Sequence, residues 1–461
     1  MMKQKQNNDF GKDPIPSLVL RVSIPVMFAQ FVNVLYSIVD RIYIGNIPLV
    51  GDVSLAGAGV CSPIISLLSS FGTLVGIGGS ILFSMRMGQN DKQQARKILG
   101  TCFSVLLIFS AVLTVLFLFL KGYLLNWFGA SDATYPYANT YLTIYTCGTF
   151  FALLSLGMNY FISSQGFPIL GMATTLIGAI LNILLDPLFI FVFHMGIGGA
   201  AAATVLAQMA SCIFVLTVLF GRSMPIRLHL MAPDWLLVKR IVLLGLSPFL
   251  ILASDSLILI AMNTALQHYG GPALGDKLIT SSTIMQSYLM LITSPMLGIT
   301  GGSQPIISYN YGANKPERIR RIILCVLLLC LSFTSVMFLI SRILPGAFVK
   351  IFTSDPDLAQ MAIRGIRIFT LMIIPLSFQY VFVDSLTALG LTKLALFLSL
   401  FRKSIYFASV CLLPSMFGAF SAFYAEPLAD GISAIVSTLS YLYIYNRYLK
   451  QPGWLMKIGP R

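Results

Sequence analysis

The chain has 461 residues, 57% of them hydrophobic and only 10% charged, with a mean hydropathy of +0.86. A soluble domain carries about 25% charged residues, so a soluble fold is excluded and a polytopic membrane protein is required. The net charge of +14 does not point to nucleic acid either, because Lys and Arg fall in short segments between apolar runs and form no basic domain with interleaved aromatics.

The opening "MMKQKQNNDFGKDPIPS" is polar for too long to be a secretory signal, and residues 1–17 are expected to be a cytoplasmic segment. Apolar runs long enough to span a bilayer then follow near 18–43, 53–84, 98–121, 135–161, 168–193 and 199–220. After a Pro-rich, basic linker at 221–237, expected to have no structure of its own, six more lie near 238–266, 279–305, 319–341, 361–388, 394–416 and 419–446. The expected fold is therefore all-α, with about twelve transmembrane helices in two six-helix lobes, 18–220 and 238–447, and a cytoplasmic tail at 448–461. Lys and Arg concentrate in the segments that this order places on the N-terminal side, which puts both termini in the cytoplasm.

The first span holds "LYSIVDRIYIGN", and its Asp40 costs roughly 2.5–3.5 kcal/mol at the centre of a membrane helix. The fifth holds "GAILNILLDPLFI", in which Asn182 and Asp186 are four residues apart and share a helix face. Pro187 adds a carbonyl that lacks its helical donor. A carboxylate, an amide and a free carbonyl on one face suit a proton or a small cation with oxygen ligands, and Asp40 completes a polar pocket in the same half.

The loop after span 2, "GGSILFSMRMGQNDKQQARK", has a counterpart after span 8, "GGSQPIISYNYGANKPERIRR". Gly88 falls on Gly312, Asn90 on Asn314, Arg96 on Arg320 and Lys97 on Arg321, and the same spacing sets "SSQGFP" (163–168) beside "TALGLT" (387–392). On a near-equal spacing Pro25 meets Pro248, and Asp40 meets Asn263. One spacing across several places marks a duplicated six-span unit, whose halves share one orientation and a pseudo-two-fold axis along the membrane normal.

In the second half, Asp255, Gln286 and Asp384 are candidate cavity residues. Arg402 enters its span about 9 residues, roughly 14 Å, deep, and Asp430 arrives from the other side at about 15 Å. Both therefore reach the middle of a hydrocarbon core about 30 Å thick. A buried network of Arg402, Asp430 and, one turn further out, Glu426 is expected. The seven cysteines lie in apolar segments without metal-ligand spacing and read as packing residues. Three histidines at or near loops supply no nucleophile–base or metal cluster at membrane depth, so no enzyme and no cofactor beyond a coupling ion is expected.

The stretches "SIVDRIYIGNIP", "GGSILFSMRMGQND", "NILLDPLFIF" and "GGSQPIISYNYGA" resemble the multidrug and toxic compound extrusion (MATE) transporters, and "YAEPLADGISA" resembles their MepA-like branch. The likeness runs from about residue 15 to 450. It implies a secondary antiporter in a bacterial inner membrane, a monomer, exporting amphipathic or cationic compounds in exchange for H+ or Na+ by alternating access. It places the coupling ion, including any Na+, at Asp40, Asn182, Asp186 and Thr204. It places the substrate cavity at Asn33, Tyr36 and Asn159. A lipid-linked oligosaccharide flippase of related architecture is the alternative.

Overall fold

A computed structural model of the chain describes residues 8–353 and 355–446. The first seven residues and the expected tail, 448–461, lie outside them. The described chain is helical from end to end. Helices α1 (Ile15–Gly45), α2 (Gly51–Gly88) and α3 (Lys92–Trp127) are followed by a short pair, α4 (Tyr135–Cys147) and α5 (Thr149–Ser164). Next come α6 (Pro168–Pro187), α7 (Gly196–Phe220) and the long α8 (Trp235–Gly312). The remainder is α9 (Pro316–Ile343), α10 (Pro345–Val349), α11 (Pro356–Phe369), α12 (Ile373–Ala388), α13 (Thr392–Phe417) and α14 (Ala425–Ile444).

Among the described residues, eight helices are long and apolar enough to cross a membrane, and ten if two bent pairs each count as one span. The bent pairs are α4 with α5, at 56°, and α11 with α12, at 49°, where continuous spans 135–161 and 361–388 were expected. Helix α8 joins what were expected as spans 7 and 8. It breaks at Gly271, whose φ of 65° leaves the helical region, a conformation open to a residue without Cβ. The second limb of α8 and α14 bring the number of crossings to the expected twelve. Both are polar for membrane helices, and both carry side chains discussed below.

The duplication is written in the backbone turns. Asn90 and Asn314, in the loops after α2 and α8, are both left-handed, with φ of 60° and 54°, a region in which Asn is among the few tolerated residues. The amide after each bonds back in the same way: Asp91 N to Arg86 O, and Lys315 N to Asn310 O, both at 3.0 Å. Gly166 and Gly390 are likewise both left-handed, with φ of 92° and 78°. A periodicity that apolar sequence could produce by chance thus corresponds to repeated turn geometry.

The chain divides into two compact units, residues 1–13 with 24–252, and 14–23 with 253–461. In the first, helices approach closely through small residues: a Cβ on Gly76 of α2 would lie 2.9 Å from the Cα of Gly157 on α5, as at membrane helix interfaces generally. Residues 221–234 of the linker form no helix or strand, yet they are packed down. Met224, Ile226 and Leu228 are buried, Ile226 N donates to Gln165 Oε1 at 2.8 Å, and Leu228 N to Leu219 O at 2.9 Å. Ser104 Oγ donates to Met231 O at 2.5 Å and Arg96 meets His229. Alternating apolar residues inside a basic stretch give the linker a face to bury, and that alternation outweighs its charge and prolines.

Candidate functional site

The site forms where α1, α6 and α7 of the first unit meet. On α6, Asn182 and Asp186 are 2% and 0% exposed. Their four-residue spacing lets Asn182 Nδ2 donate to Asp186 Oδ1 at 3.1 Å, and it also reaches Thr204 Oγ1 on α7 at 3.3 Å. Thr204 Oγ1 in turn donates to Ala200 O at 3.0 Å, which fixes its lone pairs toward Asn182. Pro187 ends α6, and the wider π-helical turn Leu188–Val192 follows, closed by Phe193 N to Leu188 O at 2.9 Å. Such single wide turns are common at functional sites.

Asp40, half-buried on α1, turns its carboxyl group to that of Asp186, while the adjacent Arg41 is exposed. Asp40 Oδ1, Asp186 Oδ2 and Asn182 Oδ1 are buried with no hydrogen-bond partner among the described residues. Two facing carboxyls are unstable as two bare charges and call for a shared proton or a cation between them. Three orphaned oxygens, with the Thr204 hydroxyl, are the donor set that a proton or a small hard cation would take.

Asn182 and Thr204 also form part of the wall of a cavity of about 330 Å³ in this unit. Asn33 and Tyr36 on α1 and Asn159 on α5 line it as well. Asn159 donates to Gly171 O at 3.2 Å, and its Oδ1 has no partner among the described residues. The lining includes side chains that sequence reasoning did not single out: Gln30, Tyr145 and Gln208, the last donating to the Tyr145 hydroxyl at 3.1 Å. Spacing could have found Gln208, which follows Thr204 by one helical turn.

The second unit holds the other candidates, and none of them lines this cavity. Asp255 is exposed and ion-paired with Lys403. Gln286 donates to its own-helix neighbour Ser282 at 3.4 Å. Asp384 on α12 faces Thr300 and Gln304 of α8. Arg402 of α13 is buried between two acids of α14: its Nε donates to Asp430 Oδ1 at 2.8 Å and its Nη2 to Glu426 Oε1 at 2.6 Å.

Residues 25–188 and again 252–413 match the MatE family model. The chain belongs to the MATE family. The model matches once in each half, which agrees with the duplication read from the loops and turns. This MATE chain is 23% identical to the multidrug export protein MepA of Staphylococcus haemolyticus over 99% of its own length and 100% of the relative's. The likeness to MepA of Staphylococcus aureus is also 23%, over 97% and 98%. Its fold is that of a solved structure described as an outward-facing multidrug resistance MATE family transporter of the MOP superfamily (TM-score 0.89, 21% identity, 97% and 99% covered). A MATE crystal structure in a straight conformation is equally similar (TM-score 0.89, 22% identity, 97% and 100% covered). The MATE chain is accordingly a multi-pass membrane transporter and not an enzyme.

Proposed function

We propose that this protein is a secondary multidrug exporter that moves amphipathic or cationic compounds outward by alternating access, in exchange for H+ or Na+. Asp40, Asn182, Asp186 and Thr204 bind the coupling cation, and the cavity beside them, with Asn33, Tyr36 and Asn159, takes the substrate. The observation that carries this reading is the facing pair Asp40 and Asp186 next to Asn182, which itself lines the cavity, with three buried oxygens that lack a partner. Such a pair is unstable as two bare charges and stable with a cation, so its occupancy can bias the protein between two conformations. The relatives' printed names, multidrug export proteins, support the substrate class. The bacterial relatives support a bacterial membrane, and the distribution of Lys and Arg supports both termini in the cytoplasm.

The test is efflux of ethidium from proteoliposomes under a pH gradient and a sodium gradient imposed separately. Efflux driven by one of them establishes antiport and names the ion. Efflux under neither, from protein shown to be folded, rejects the proposal in favour of lipid flipping.

A further inference from the structure

The second unit contains a charge imbalance that the first unit's site does not explain. Arg402 is 7% exposed, Glu426 5% and Asp430 0%, and Arg402 bridges both acids. The neighbouring Lys403–Asp255 pair is neutral in itself. If every group were ionised, the cluster would hold one uncompensated negative charge out of contact with water, a state that burial strongly disfavours. The groups that face it from the packed helices are Lys403 and Tyr406 of α13, Tyr380 of α12 and Asp255 of α8. They add no net positive charge. Moreover, Asp430 Oδ2 is buried with no hydrogen-bond partner among the described residues, so one carboxylate oxygen of the cluster is uncommitted.

We propose that the Arg402–Glu426–Asp430 cluster is a proton-binding site in its own right, holding one proton on one or other of its two carboxyl groups. A proton fits better than a metal cation. A guanidinium already occupies the space between the two carboxylates, and the one uncommitted oxygen, Asp430 Oδ2, is too few donors for a metal cation. With the proton bound, the cluster is a neutral ion pair plus a carboxylic acid. The exposed Asp255 and half-buried Lys403 mark the side from which the proton enters, since the Asp255 side chain is 52% exposed and that of Lys403 13%. The site is separate from the Asp40–Asp186 pair and does not depend on that pair's role.

The full chain in lipid nanodiscs would be examined by infrared pH-difference spectroscopy in an Asp40→Asn/Asp186→Asn background, which silences the first unit's facing pair. The protonated-carboxyl band at neutral pH should lose one carboxyl's intensity when Asp430→Asn is added. Glu426→Gln should remove the same intensity, because each substitution leaves Arg402 with a single carboxylate and no need of a proton. Both variants should fold, with a smaller thermal shift than Arg402→Gln. Unchanged band intensity in both variants would overturn the proposal. So would failure of both to fold, or a thermal shift as large as that of Arg402→Gln.

Discussion

Asn182→Ala is the most informative single perturbation of the first unit. The Asn182 amide is shared between Asp186 Oδ1 at 3.1 Å and Thr204 Oγ1 at 3.3 Å, and its own Oδ1 is uncommitted. The bond to Asp186 is charge-assisted, and such bonds contribute about 1.5–3 kcal/mol, or about 10- to 150-fold in a binding constant. If Na+ is the coupling ion, the variant loses a ligand and a positioning bond, and half-saturating Na+ for ethidium efflux rises by that factor. If H+ is the coupling ion, the Asp186 carboxyl loses the amide that positions it, and the pH dependence of efflux changes. Asn159→Ala is the control: it lines the same cavity but bonds to Gly171 O, so it should change ethidium affinity and leave the ion dependence alone. Unchanged ion dependence in Asn182→Ala, or the same shift in Asn159→Ala, would refute the reasoning.

Three further outcomes concern the scaffold. Arg402→Gln leaves two buried carboxyl groups without their cation and should cost about 3–5 kcal/mol, a fall in Tm of roughly 6–20 °C at 2–4 °C per kcal/mol. A Tm within 2 °C of wild type, roughly the smallest shift that a 1 kcal/mol change would give, would contradict it. Asn90→Ala and Asn314→Ala should each cost about 1 kcal/mol for a left-handed Ala, while the Gly replacements should not. Unequal effects at the two turns would argue against their equivalence. Gln165→Ala strands the buried Ile226 amide and should cost about 1–3 kcal/mol. The expected readout is faster proteolysis of residues 221–234, and an unchanged rate would mean that the linker is held by its apolar side chains alone.

Much of this was legible in the sequence because membrane burial is so selective. Apolar runs gave the crossings, and acids inside them stood out. The i, i+4 spacing of Asn182 and Asp186 foreshadowed a real hydrogen bond. Helical rise alone brought Arg402 and Asp430 to the same depth, and the structure joins them. What was hidden depends on three-dimensional neighbours. Gly148 gives no local warning that it splits an expected span into two helices bent by 56°. The partnership of Lys403 with Asp255 spans 148 residues and no periodicity encodes it. Tyr145 and Gln208 read as ordinary residues of apolar helices until the cavity wall is assembled. The docking of the linker was hidden because its charges and prolines outnumber the three apolar residues that dock it.

The central claim is that the facing carboxyls of Asp40 and Asp186 carry the coupling cation. Its most direct test is gradient-driven ethidium efflux from proteoliposomes with Asp40→Asn and Asp186→Asn, each checked for folding and for ethidium binding. The account predicts that both variants still bind ethidium but no longer expel it in response to the pH or sodium gradient that drives the wild type. Efflux that still follows the gradient in either variant would contradict it.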